Sequence, residues 1–591
     1  MGVLSSLVTL LATTTSSLDQ PVTNGLSLLG TLGAHSLPKF LSDVRLVDGS
    51  PWGDHNCTNT NPYKAAPDTG VVRKYDFTIS RGILSPDGYE RSLLLVNGQY
   101  PAPTIEANWG DTIEVTVTNN ITGVAEGTSV HWHGFLQHQS QWMDGTPGFT
   151  QCPIAPQKTF TYQFRAELFG TSWYHAHYSA QYTDGVVGAV VVYGPTPKDY
   201  DIDIGPILLS DWYHVDYYTT VRSLTAARPG LPPPQPTSDN NLINGKMNFD
   251  CSVATNTSVK CSSNAGLSKF KFQSGKTHRL RLINTGADAS QQFSIDNHTM
   301  TVIANDFVPV QPYNTTVVTL GIGQRTDVIV EADGDSHEAY WIRSNATCAK
   351  ANQPYALAVL YYENADVDGL PKSSPWNSPS IGCANDPLET TVPMYAINPG
   401  EPAETTTLNM TVGQNATGHW LWYMNNSSFR TDYNQPVLLL AEGGNTSYPD
   451  SPEWNVVNTG SASSYRFIVN NDTPTSHPMH FHGHNMYILA VGTGVWDGTI
   501  VRPDNPQRRD VQNVPANGYL VWQADADNPG TWPFHCHIAW HASTGLSVDI
   551  LENPGQIEHL AIPEASYQLC QEWQTFSATG QVDQIDSGLR L

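Results

Sequence analysis

Four short stretches concentrate histidine: HWHG at 131–134, HAH at 175–177, HPMHFHGH at 477–484 and HCHIAWH at 535–541. In an extended segment, residues i and i+2 project to the same side. His131 with His133, His175 with His177, His480 with His482, and His535 with His537 therefore form four same-face pairs. Eight imidazoles are too many for one metal ion; three ions could share them and keep open positions. Cys536 lies between His535 and His537 and points the other way, so it belongs to a separate site. His477 and His541 are the spare histidines that can join it. Two His and one Cys in a trigonal set describe a blue-copper electron-transfer centre. Such centres carry a weak axial residue, often Met; here the residue ten beyond the cysteine is Leu546, which cannot ligate. An apolar axial neighbour favours Cu(I) and raises the potential. Zinc also accepts His and Cys, but its sites are usually isolated and four-coordinate. Paired histidines beside a His₂Cys site fit copper better.

These residues need strands to aim them, and strand signals dominate the chain. DTIEVTVTN alternates Ile113, Val115 and Val117, HRLRLIN alternates Leu280 and Leu282, and YRFIVNN mixes aromatic and branched residues. Each ends in Asn-rich turn chemistry. The three segments also resemble one another, and GTSWYHAH (170–177), AYWIRSNA (339–346) and GTWPFHCH (530–537) form a second matching set. Repetition at this length predicts three related β modules, near 70–197, 198–370 and 400–556. The middle copy has lost the His-x-His pairs and keeps only His298, so it reads as a spacer. The metal chemistry is then expected where the first and third modules meet. One residue of backbone separates Cys536 from either neighbouring histidine, so electrons entering at one strand face can be used at the other. His35, His55, His138, His214, His278, His298, His337, His419, His484 and His559 read as ordinary surface or core residues. Trp132, Trp173 and Trp540 read as packing. A short helix is expected near 564–573.

The bulk composition agrees. Of 591 residues, 14% are charged, against about 25% in an average globular protein. The 47 Gly and 41 Pro suit many turns and short strands. A net charge of −25 argues against binding nucleic acid or an anionic membrane through a basic face. No internal apolar run approaches the ~20 residues of a membrane span; VVGAVVVYG (186–194) reads as a buried strand. Residues 1–20 read as a signal peptide, although MGVLSS also fits the myristoylation pattern. Twelve N-x-S/T sequons fit a secreted glycoprotein. The eight cysteines fit an oxidising compartment. Cys251 with Cys261, Cys348 with Cys383, and Cys152 with Cys570 are the suggested pairs, with connectivity left open by sequence. Cys57 has no obvious partner.

HWHGFLQHQSQWMDGTPGFTQCPI (131–154), GTSWYHAHYSAQYTDGVVG (170–188), HPMHFHGH and GTWPFHCHIAWHASTGL together resemble the signatures of the multicopper oxidases, and more narrowly of fungal laccases; Ala176 stands where the family usually has Ser. The resemblance covers about 70–556. It implies an all-β fold of three consecutive cupredoxin-like Greek-key β-barrel domains, at 70–197, 198–370 and 400–556. Residues 21–69 would be an N-terminal extension, 371–399 a linker and 557–591 a tail. It also implies four copper ions. His477, Cys536 and His541 would hold a type 1 copper with Leu546 axial, and His131 and His480 a type 2 copper. His133, His175 and His537 would hold one type 3 copper, and His177, His482 and His535 the other. Asp144 resembles an acid that delivers protons near the cluster, and Asp239 a carboxylate that receives the proton of a phenol. The tail DQIDSGLRL (583–591) resembles an ascomycete terminus that is trimmed, here after Leu589, and plugs a channel. The implied activity is phenol oxidation by O₂ in a secreted monomer, with no nucleic-acid or membrane partner. Another multicopper oxidase (a ferroxidase, an ascorbate or a bilirubin-type oxidase) and a non-catalytic copper carrier are the alternatives.

Overall fold

The computed structural model describes residues 22–578, apart from 24, 124, 232 and 378–381. The signal-peptide and myristoylation readings at the N-terminus and the plug reading of 583–591 lie outside the described residues. Three β units follow one another, each made of two open sheets facing across a core. In the first unit, Val72–Leu84 pairs in parallel with Thr112–Asn119, which pairs antiparallel with Thr159–Arg165. The second unit repeats this with Ile202–Trp212, Thr277–Asn284 and Arg325–Glu331. The third repeats it with Glu404–Gln414, Ser464–Asn471 and Gly518–Asp525. The three similar sequence segments are thus the same strand of the same sheet. Their alternation has a direct cause: Ile113, Val115 and Val117 are fully buried and face Phe160, Tyr162 and Phe164 of the neighbouring strand. Each such side chain contributes about 1.5–3 kcal/mol on burial.

The second matching set is the same strand of the other sheet. In the first and third units we label the strands of this sheet that carry the histidines β1 (Val130–Trp132), β2 (Gly170–Ala176), β3 (His477–Phe481) and β5 (Gly530–Cys536), and the strand that pairs with β3 on its other edge β4 (Val511–Val514). β1 pairs antiparallel with β2, and β5 with β3. Segment 186–194 supplies the buried strand Val187–Tyr193, beside β2. The expected helix is present as Glu564–Ser577, and Cys152–Cys570 ties it to the first unit. Cys251–Cys261 and Cys348–Cys383 also form, while Cys57 is a buried free thiol. Among the described residues, no helix is long and apolar enough to cross a membrane.

Candidate metal centre

Register brings the histidine pairs together. His131 lies opposite His175 in the β1–β2 pair, and His480 opposite His535 in the β3–β5 pair. All four strands end between the two histidines of their pair. The second histidine still donates its backbone N–H to the adjacent segment: His133 to Trp173 O at 3.1 Å, His177 to Ser129 O at 3.3 Å, His482 to Pro533 O at 3.1 Å and His537 to Pro478 O at 2.7 Å. The first and third units therefore present equivalent pairs of pairs to one buried space.

Three sets of ring nitrogens converge there: His131, His133 and His480; His133, His175 and His537; and His177, His482 and His535. The other nitrogen of most rings is fixed. Nδ1–H of His131 donates to Asp144 O at 2.8 Å, that of His175 to Ala176 O at 3.0 Å, that of His480 to Asp510 O at 2.9 Å and that of His535 to Cys536 O at 2.9 Å. His482 Nδ1 donates to Asp144 Oδ2 at 2.9 Å. This leaves Nε2 of each as a lone pair, and His482 Nε2 and His535 Nε2 face each other at 3.0 Å. Nε2 of His131, His175 and His480, Nδ1 of His133 and both nitrogens of His537 are buried without a hydrogen-bond partner. Buried polar atoms usually find partners, and orphaned ring nitrogens that converge on one space fit bound cations. Burial, reinforced by neighbouring imidazoles, holds His133, His175, His177, His480, His482 and His537 well below the usual histidine range. His535 is lowered to about 4, also chiefly by burial. These seven rings are neutral, the form that binds a metal.

Cys536 faces the opposite way. Its Sγ lies 3.6 Å from His477 Nδ1 and 3.7 Å from His541 Nδ1, and the two nitrogens are 3.2 Å apart. One ion at roughly 2.0–2.3 Å from each, ordinary N and S bond lengths for a first-row metal, fits inside that triangle. His477 directs its other nitrogen to the hydroxyls of Thr473 at 2.9 Å and Thr475 at 3.2 Å. His541 rides on the four-residue helix Ala539–Ala542 that follows β5. Leu546 is fully buried; its carbonyl accepts Cys536 N–H at 3.0 Å and its N–H donates to His541 O at 3.0 Å. Burial pushes the Cys536 thiol well above its ordinary range, so a thiolate there needs a cation beside it.

Two carboxylates orient the rings. Asp144 is fully buried and bridges His131 and His482. Asp510, in the segment just before β4, places Oδ1 3.1 Å from His133 Nε2. Its carboxylate is gripped by Arg325 of the second unit, Nη1 to Oδ1 at 2.6 Å and Nη2 to Oδ2 at 2.7 Å. Asp306, also from the second unit, binds Arg509 with two 3.0 Å contacts. The middle unit carries no imidazole of the cluster, yet it is more than a spacer. At Gly323, which has φ +85°, a Cβ would meet His537 Cδ2 at 2.9 Å and His133 Cε1 at 3.0 Å. The sequence reading missed Asp510 and Arg325, because neither has a short-range motif. The ten histidines read as ordinary stand in none of the metal-competent groups found among the described residues.

His541 opens onto a cavity of about 350 Å³ whose lining includes Trp422, Ile538, Trp540, Leu224 and Asp288. Asp288 is the one carboxylate among the described residues lining it. Burial and nearby Asp211 push its acid up to about 8. Asp211 holds the turn in place, accepting the N–H groups of Ala287, Asp288 and Ala289 at 2.6–2.9 Å. Asp239 lies outside this lining: its carboxylate accepts His214 N–H at 2.8 Å and faces Asn352 Nδ2 at 3.5 Å. A smaller cavity of about 70 Å³ reaches His177 and His535 from the side of Phe429 and Tyr433. Trp540 donates Nε1–H to Tyr213 OH at 3.3 Å, and Trp173 packs on His175 with ring centroids 4.3 Å apart.

A His₂Cys triangle one residue from a nest of eight imidazoles, on a threefold β scaffold, defines an oxidoreductase built around several copper ions. The chain belongs to the multicopper oxidase family, whose three models match residues 78–197, 203–365 and 400–556. It is 39% identical to Oxidoreductase OpS5 of Beauveria bassiana over 91% of both chains. It is 38% identical to Laccase-2 of Botryotinia fuckeliana, over 91% of this chain and 92% of the relative. The crystal structure of the laccase from Botrytis aclada superposes with a TM-score of 0.83 at 37% identity, over 91% of this chain and 98% of that one.

Proposed function

We propose that this protein is a laccase, a secreted enzyme that couples one-electron oxidation of phenols to reduction of O₂ to water. The observation that carries the reading is the half-apolar cavity in which His541, three tryptophans and Asp288 meet. Four copper ions complete it. His477, Cys536 and His541 would hold the type 1 ion beside Leu546, and His131 and His480 the type 2 ion. His133, His175 and His537 would hold one type 3 ion, and His177, His482 and His535 the other. Bound there, copper supplies the one-electron storage and O₂ chemistry that side chains lack.

The chain's own residues do the rest. Trp422, Trp540 and Ile538 shape a slot for an aromatic ring against the exposed edge of His541. Asp288 takes the phenolic proton at its carboxylate, and its raised affinity for a proton suits a base. That is the role the resemblance offered to Asp239. The peptide bonds flanking Cys536 are the covalent link between donor side and cluster side. The cavity at His177 and His535 is the entry for O₂. Asp144 keeps Oδ1 free of hydrogen bonds, within 3.3 Å of His131 Nδ1, where it can pass protons inward. Three disulfides suit the extracellular setting.

A ferrous donor would call for several carboxylates, whereas this cavity offers Asp288 together with the cation Lys350. Oxygen uptake by the copper-loaded enzyme with a dimethoxyphenol, Fe(II) and ascorbate in parallel is the test. Uptake with the phenol is expected; uptake with Fe(II) alone overturns the reading.

A further inference from the structure

We propose that the donor site continues into a second cavity and that preferred donors carry two aromatic rings, one oxidised beside His541 and one seated beyond the Pro474–Ser476 rim. The inference rests on the phenol-oxidising reading above. The second cavity has a volume of about 730 Å³, twice the first at about 350 Å³. Both are lined by Cys348, Pro474, Thr475 and Ser476, so they abut along that rim. One small ring suits the first cavity; together they reach the size of sites that take multi-ring ligands.

The rim is fixed rather than a closing flap. Thr475 Oγ1 lies 3.2 Å from His477 Nε2, Ser476 Oγ donates to Val514 O at 2.9 Å, and Cys348 is bonded to Cys383 in the segment between the second and third units. That segment walls the second cavity on one side, with Pro387 and Leu388, against Val491, Val501, Pro515 and Ala516 of the third unit. These are apolar surfaces, and burying an aromatic ring on them is favourable. Asp386 and Glu389 also line the cavity. Two carboxylates there select a neutral or hydroxyl-bearing second ring and reject one bearing a carboxylate.

The test compares kcat/KM for a bisphenol with that for its one-ring methoxyphenol half, in the copper-loaded wild type and in A516W and T493W. Ala516 and Thr493 line the second cavity alone, and indole there fills it. The bisphenol-to-monophenol ratio is expected to fall about tenfold in each variant, through KM. An unchanged ratio in variants of full copper content overturns the proposal, as does an equal loss for both donors. A measurement on the wild type alone gives an independent decision. The O-methylated, non-oxidisable bisphenol should inhibit monophenol turnover with a Ki about tenfold below that of its one-ring counterpart; equal Ki values overturn the proposal. If the wild type turns over neither phenol, the laccase reading fails instead.

Discussion

A carboxylate set in a dry wall holds its proton more tightly than one in water, because the charged form loses hydration. Asp288 has that setting, with Asp211 adding like charge. We predict that D288N lowers kcat/KM for a monophenol by roughly 10²-fold, the low end of a lost general base. Ferrocyanide, which yields an electron and no proton, should be turned over as by the wild type. The raised acid also fixes the sign of the pH profile. Below about 8 Asp288 is mostly protonated. The rising limb of phenol kcat/KM should therefore sit near that value and vanish in D288N. D239N should change the phenol rate by less than about threefold, since Asp239 serves the His214 backbone. Steady-state rates across pH with both donors check all of this. A D288N enzyme equally impaired on ferrocyanide would point to damage at the metal instead.

At the scale of elements, the cluster depends on contacts that cross between units. Arg325 leaves the end of a second-unit strand, Asp510 precedes β4 in the third, and His133 follows β1 in the first. R325M strips the partner from a buried carboxylate, which typically costs about 3–5 kcal/mol. It also frees the ring of His133, and loss of such an outer partner typically weakens metal affinity about 10–100-fold. Thermal unfolding and copper titration of R325M measure the two effects separately. The paired variant C152S/C570S unties Glu564–Ser577 from the first unit. A lower Tm is expected, in line with the ~2–5 kcal/mol typical of a lost native disulfide. Metal-related spectra should be retained, because neither cysteine touches the histidines. These elements also show what a sequence can reveal. His-x-His declares itself because strand period acts over two residues, and the repeat marks which strand carries it. Asp510 and Arg325 are 185 residues apart and neither sits in a telling pattern, so only the folded chain joins them. Asp239 drew attention through its neighbours in sequence, whereas the cavity wall belongs to the turn at Asp288.

Across the whole molecule, burying eleven ligand groups, eight where the first and third units meet and three within the third unit, ties stability to pH. His133, His175, His177, His477, His480, His482, His535, His537 and His541 titrate near 6.5 in an unfolded chain and lower in the fold, with His477 at about 3 and His535 at about 4. Folded values below unfolded ones mean that the unfolded chain takes up protons the folded chain refuses. Each such histidine then destabilises the fold as pH drops from about 6.5 toward 4, by about 1.4 kcal/mol per pH unit, and costs nothing above that window. At these rings copper binding does not alter the slope, because they are already unprotonated before metal arrives. In C536S, which has no thiol proton to lose, copper-free and copper-loaded enzyme should therefore lose Tm in parallel between pH 6.5 and 4.5, with a constant gap set by copper affinity. Cys536 is the exception, since its thiol keeps its proton until a cation displaces it. Anaerobic loading with Cu(I) near pH 6 should release about one proton per chain in the wild type and about none in C536S. Calorimetry in buffers of different ionisation enthalpy counts those protons. A release of several protons, or a C536S gap that narrows steadily with acid, would mean that the rings bind protons in the folded metal-free state. The histidine nest would then be open to water rather than held dry by the meeting of the first and third units.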